Sequence, residues 1–179
     1  MPTIVHEFAW PDRVVIGTIG LPGDRTFYLQ ARAGSKLVSI ALEKQQSALL
    51  AEKIDAALDE LMSTTGNPFS IPTTTPIELV DNDPLEPVVE EFRAGMMGLG
   101  WDPSTVQFVI EAYPIVDDED EDGPAGEPAE KLLLRIPVGT ARAFAKRTRE
   151  IVGAGRPMCP LCGNPVDADG HTCTLPGVS

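Results

Sequence analysis

The chain has 179 residues, 42% of them hydrophobic, which is enough for one ordinary domain or two small ones and excludes disorder throughout. A formal net charge of −13 at pH 7 excludes wholesale attraction to nucleic acid or to an anionic membrane, and leaves room only for a local basic patch. No apolar run approaches the roughly 18 to 20 residues that span a bilayer, and the opening Met1-Pro-Thr-Ile-Val-His-Glu-Phe8 lacks the charged start and apolar stretch of a signal peptide.

From Arg13 to Leu42 the residues alternate between apolar and polar in three short runs, the pattern of a half-buried antiparallel sheet. Val14-Val-Ile-Gly-Thr-Ile19 ends at Gly20-Leu-Pro-Gly-Asp24, which reverses the chain. Thr26–Arg32 puts Phe27, Leu29 and Ala31 on one face and Tyr28, Gln30 and Arg32 on the other; Lys36–Glu43 follows with Val38, Ile40 and Leu42 alternating. Beyond Lys44 the period changes to that of a helix, with Leu50, Ile54, Leu58 and Leu61 on one stripe. Residues 1–62 thus read as a first β-β-β-α unit. Residues 63–87 are rich in proline and threonine, have no clear period, and read as a largely extended, partly mobile linker.

Residues 88–155 repeat the first pattern. Gly95 and Gly98 reproduce the spacing of Gly17 and Gly20, Phe108-Val-Ile-Glu-Ala112 that of Phe27-Tyr-Leu-Gln-Ala31, and Leu132-Leu-Leu-Arg-Ile136 that of Val38-Ser-Ile-Ala-Leu42. The helical stripe recurs in register, pairing Leu50 with Phe144, Ile54 with Thr148 and Leu58 with Val152. The extra length of this half lies in an acidic loop, 117–130, which opens with Asp117-Asp-Glu-Asp-Glu-Asp122 and repels itself too strongly to order alone. The expected fold class is α+β: a duplicated β-β-β-α unit whose halves bury their apolar faces together, as one continuous sheet or as two facing sheets.

The last segment, 156–179, holds all three cysteines. Cys159-Pro-Leu-Cys162-Gly has the form of a zinc knuckle, since two thiolates separated by two residues reach one ion. His171-Thr-Cys173 supplies the other pair, because side chains at i and i+2 of an extended backbone face the same way. Cys159, Cys162, His171 and Cys173 therefore form a closed set for one structural Zn(2+). Cysteines spent on metal rather than on disulfides fit a reducing, cytoplasmic compartment.

Chemistry elsewhere is sparse. Tyr28, Gln30 and Arg32, with Glu43 and Gln46 beyond the next strand, are candidates to line a ligand groove, against the plainer reading of a solvated sheet face. Arg142, Lys146, Arg147, Arg149 and Arg156 make the last helix and its exit basic, a feature expected to pair with the nearby acidic loop. His6 reads as an ordinary, partly buried histidine, and no catalytic constellation or phosphate-binding glycine loop is present.

Gly20-Leu-Pro-Gly-Asp-Arg-Thr-Phe-Tyr-Leu-Gln-Ala-Arg32, Ala41-Leu-Glu-Lys-Gln-Gln46 and Cys159-Pro-Leu-Cys-Gly-Asn-Pro-Val-Asp167 together resemble an uncharacterised actinobacterial family with a C-terminal zinc-ribbon-like tail. The resemblance implies a bacterial cytoplasmic protein and assigns no reaction. The function expected is that of a zinc-containing binding or adaptor protein with a protein partner and no membrane or nucleic-acid contact. The alternative is an enzyme or small-ligand binder for a phosphorylated or other anionic compound.

Overall fold

The structure is a computed structural model that describes residues 4–20, 24–115 and 130–154. Seven strands form one mixed sheet: β1 (Ile4–Phe8), β2 (Arg13–Ile19), β3 (Thr26–Ala33), β4 (Lys36–Leu42), β5 (Glu90–Asp102), β6 (Gln107–Pro114) and β7 (Glu130–Pro137). Helix α1 (Lys44–Met62) follows β4, and α2 (Val138–Ala154) follows β7. The fold is α+β, and of the two arrangements open to the sequence it adopts the continuous sheet, in the order β1-β7-β6-β5-β4-β3-β2.

Each half is an antiparallel meander. Ile16 stands opposite Leu29 and Leu29 opposite Ile40 in β2-β3-β4; Leu99 stands opposite Ile110 and Ile110 opposite Leu134 in β5-β6-β7. Paired residues share a face, so the apolar rows align across the meander, and a slip of one residue would turn them all to solvent. These rows form one core with Leu50, Ile54 and Leu58 of α1 and Ala141, Phe144 and Ala145 of α2. The glycines match differently from the spacing expected in the sequence. Gly17 pairs with Tyr28, and the residue in the same place of the second meander is Gly100, opposite Val109, rather than Gly95. Strand pairing, not glycine spacing, sets register, and the β5–β6 turn is shorter than the β2–β3 turn.

Gly95 instead lies in a bulge of β5, where the ladder with β6 shifts between Ala94 and Met97. A Cβ on Gly95 would lie 2.9 Å from the Ile115 Cα, so only glycine permits this approach of two backbones. The bulge bends β5: Glu90–Arg93 runs along β4 in parallel, and Ala94–Asp102 pairs with β6. Gln46 braces the bend from the first turn of α1, donating from Nε2 to the carbonyls of Ala94 (3.1 Å) and Gly95 (2.8 Å).

The strand β1 has no precedent in the sequence reading and joins the two halves, pairing in parallel with β7. Six steps of about 4.8 Å would hold the edges of a flat seven-stranded sheet about 29 Å apart. The five residue steps from Phe8 to Arg13, which join the two edge strands, reach at most about 17 Å. The sheet therefore curls. Across the closure Lys36 Nζ donates to Glu7 O (2.9 Å), and Lys36 sits over the ring of Phe8.

Residues 63–87, expected as a linker between halves, form a strap on the body. Proline has no N–H to give to a ladder, and several carbonyls of this stretch accept from side chains of the body. Arg142 Nε donates to Pro72 O (3.0 Å), Arg147 Nη1 to Asp81 O (2.8 Å), Arg13 Nη2 to Asp83 O (2.9 Å) and Gln30 Nε2 to Glu86 O (3.0 Å). Ile71, clamped between both amide atoms of Asn67, is buried in the common core.

Candidate functional site

The outer face of β2-β3-β4, where Tyr28, Gln30 and Arg32 were expected to line a groove, is covered by the strap. Gln30 is 2% exposed. Its Nε2 donates to Ser39 Oγ (3.0 Å) and Glu86 O, and its Oε1 accepts from Glu86 N (2.9 Å), so the amide holds Glu86 as a neighbouring strand would. Arg32 Nη1 pairs with Glu86 Oε1 at 3.1 Å, and the Tyr28 hydroxyl donates to Glu90 at 3.4 Å. Leu85 packs onto Gly17, whose missing side chain makes the space: a Cβ there would lie 2.5 Å from the Leu85 Cγ. Glu43 pairs with Arg93, and Gln46 caps α1 by accepting from Glu43 N (2.7 Å) while bracing β5. The five predicted ligand residues are thus divided: Gln30 and Arg32 hold the strap, Tyr28 and Glu43 meet the start of β5, and Gln46 serves cap and bulge.

The basic residues of α2 form no continuous surface. Arg142 is buried and spans Asp55 and Asp59, each at 3.1 Å; Arg149 pairs with Asp55 and Lys146 with Glu150. Arg147 is buried as well, donating from Nε to Ile16 O (2.9 Å), a carbonyl on the edge strand β2, and from Nη1 to Asp81. Arg13 completes this group with a two-point contact to Asp81, Nε to Oδ2 at 2.7 Å and Nη2 to Oδ1 at 3.1 Å. The hydrogen bond from Arg13 holds the Asp81 carboxyl below the usual range, whereas burial lowers the Arg147 guanidinium. A cleft of about 280 Å³ opens between the strap and α2. Among the described residues Arg147 is the one cation lining it, against Asp83 and Glu150. That balance does not favour an anion.

A second polar group stands at the rim of the curled sheet. β1, β5 and β7 run in one direction, and near their starts lie His6, Glu91 and Glu130. Glu130 lies across the ladder from Ile4, and His6 across from the fully buried Leu132, which puts both side chains on one face. His6 Nε2 is 3.0 Å from Glu130 Oε2 and 3.7 Å from Glu91 Oε1, with side chains 15%, 24% and 40% exposed in the order His6, Glu130, Glu91. One donor atom from each of the three falls within 4.8 Å of the others, close enough to share a cation. The sequence carries no signal for this group, because its members are far apart in the chain and meet only through strand pairing and the fold of the sheet.

The metal set Cys159, Cys162, His171 and Cys173, Arg156 and the acidic run 117–122 lie outside the described residues. Among the described residues no helix is long and apolar enough to cross a membrane. In comparison with known proteins, a family described as "Protein of unknown function (DUF3090)" matches residues 6–173. No curated protein and no solved structure matches the chain.

Proposed function

The chain belongs to this family of proteins of unknown function, and from that premise we propose that it is a zinc-containing, cytoplasmic binding or adaptor protein. Its body is a rigid platform for a tail organised by one structural Zn(2+) on Cys159, Cys162, His171 and Cys173. The observation that carries this reading is the strap: Gln30 and Arg32, the best candidates for a ligand groove, are bound to Glu86 of the same chain. The pairing of Arg142 and Arg147 with aspartates speaks in the same direction against a nucleic-acid surface. The like order and pairing of β2-β3-β4-α1 and β5-β6-β7-α2 support descent of the platform from a duplicated unit. Four thiolate and imidazole ligands complete a tetrahedron, so the ion's role is to hold the tail in shape.

The test joins metal analysis to partner recovery. Protein purified without chelator should carry about one zinc per chain. The Cys162→Ser variant should lose it, keep the melting temperature of the body, and fail to retain a protein partner that co-purifies with the wild type from its native cell. Absence of zinc from fully reduced wild-type protein, or undiminished partner recovery by the zinc-free variant, overturns the reading.

A further inference from the structure

We propose that His6, Glu91 and Glu130 bind a divalent first-row transition cation through the imidazole Nε2 and one oxygen of each carboxylate, with solvent in the remaining positions. This site is independent of the cysteine tail and of the function proposed for it.

Distance is the first argument. Ligand atoms bound at about 2.1 Å to one ion lie roughly 3.0 to 4.2 Å from one another; Nε2 stands 3.0 Å from Glu130 Oε2, its hydrogen-bond partner, and 3.7 Å from Glu91 Oε1, both inside that range. The ligands are also carried by three strands of one sheet, so their spacing is set by the ladder and the curl rather than by a loop.

Charge is the second. Two carboxylates converge on a single imidazole. The neighbouring cations in sequence are engaged elsewhere: Arg93 on Glu43, and Lys131 over the ring of Tyr113. Two partly buried carboxylates sharing a site repel unless a cation lies between them. A metal supplies two positive charges there, where an imidazolium supplies one.

Donor chemistry narrows the ion. One nitrogen and two oxygens suit manganese, iron, cobalt or zinc, whereas magnesium and calcium prefer oxygen alone. The set lacks sulfur and is harder than the cysteine tail, so the two sites prefer different ions. Glu91, the most exposed ligand, leaves the ion open to water on its outer side.

The experiment uses the full chain carrying no more than one equivalent of zinc, and Mn(2+) as the probe, which thiolate sites bind poorly. The chain has two histidines, His6 and His171, so their ring protons can be assigned by nuclear magnetic resonance with one variant. Stoichiometric Mn(2+) should broaden the His6 ring signals selectively. Glu130→Gln and Glu91→Gln should each weaken Mn(2+) binding, counted by electron paramagnetic resonance of the free ion, by about tenfold or more. A variant with Asp117, Asp118, Asp120 and Asp122 changed to Asn should bind as the wild type does. Should Glu130→Gln fail to fold, Glu91→Gln, which alters an exposed side chain, decides alone. Persistence of sharp His6 signals, equal binding by Glu91→Gln, or loss of binding in the acidic-run variant overturns the site.

Discussion

At the strap two guanidinium groups converge on one carboxylate, and at the rim two carboxylates converge on one imidazole. The first group is closed: Arg13 and Arg147 direct donors to Asp81 and to the carbonyls of Ile16, Asp81, Asp83 and Pro84, and their side chains are only about one-tenth exposed. The second is open, with Glu91 two-fifths exposed and one histidine set against two negative groups. The difference separates two uses of charge. A cluster whose charges are paired inside the chain holds structure, and one with an excess of acceptors at a rim has capacity left for a ligand.

The sharpest way to break this contrast is Asp81→Asn. It removes the carboxylate shared by two largely buried cations; breaking a fully buried group costs about 3–5 kcal/mol, and with the Asp81 side chain 27% exposed the loss should be about 2–3 kcal/mol, readable by denaturant unfolding and by new proteolysis within the strap. A loss under about 1 kcal/mol would show that the closed cluster is not structural. The pH dependence has a definite sign. Arg13 depresses the Asp81 carboxyl in the folded state, so its stabilisation is complete above the ordinary aspartate value of about 3.9 and fades as pH falls through the depressed folded value. The wild type should lose this increment in acid, and Asp81→Asn should lack it at every pH.

A smaller effect is expected on the outer face. Gln30→Ala strands the N–H and C=O of Glu86 under the strap, at a cost of about 1–3 kcal/mol. The melting temperature should fall correspondingly. An unchanged melting temperature, with newly acquired binding of a small molecule on that face, would restore the ligand-groove reading. The smallest effect belongs to the rim. Without a divalent cation, Glu91→Gln should change stability by no more than about 0.5 kcal/mol, because it alters an exposed group and relieves repulsion. A large loss there would turn the rim into a second structural cluster.

Most of the elements were legible in the residues. The alternation of Phe27, Leu29 and Ala31, its repetition at Phe108, Ile110 and Ala112, and the stripe through Leu50, Ile54 and Leu58 all record local geometry, a period of two or of 3.6, which burial selects directly. The strand β1 was not legible, since five residues with His6 and Glu7 among them carry too little apolar pattern to announce a strand. Nor was the role of Gln30: a polar residue on a sheet face looks the same in sequence whether it meets water, a ligand or a proline-rich strap. The ligand types of Cys159, Cys162, His171 and Cys173 stand close enough in the chain for spacing alone to suggest a zinc set. Only the tertiary structure could bring Arg13 and Arg147 to Asp81, or His6 to Glu91 and Glu130. Those meetings depend on a bulge at Gly95, on the curl that a five-residue step forces on a seven-stranded sheet, and on the docking of the strap, and none of these long-range consequences has a period to read.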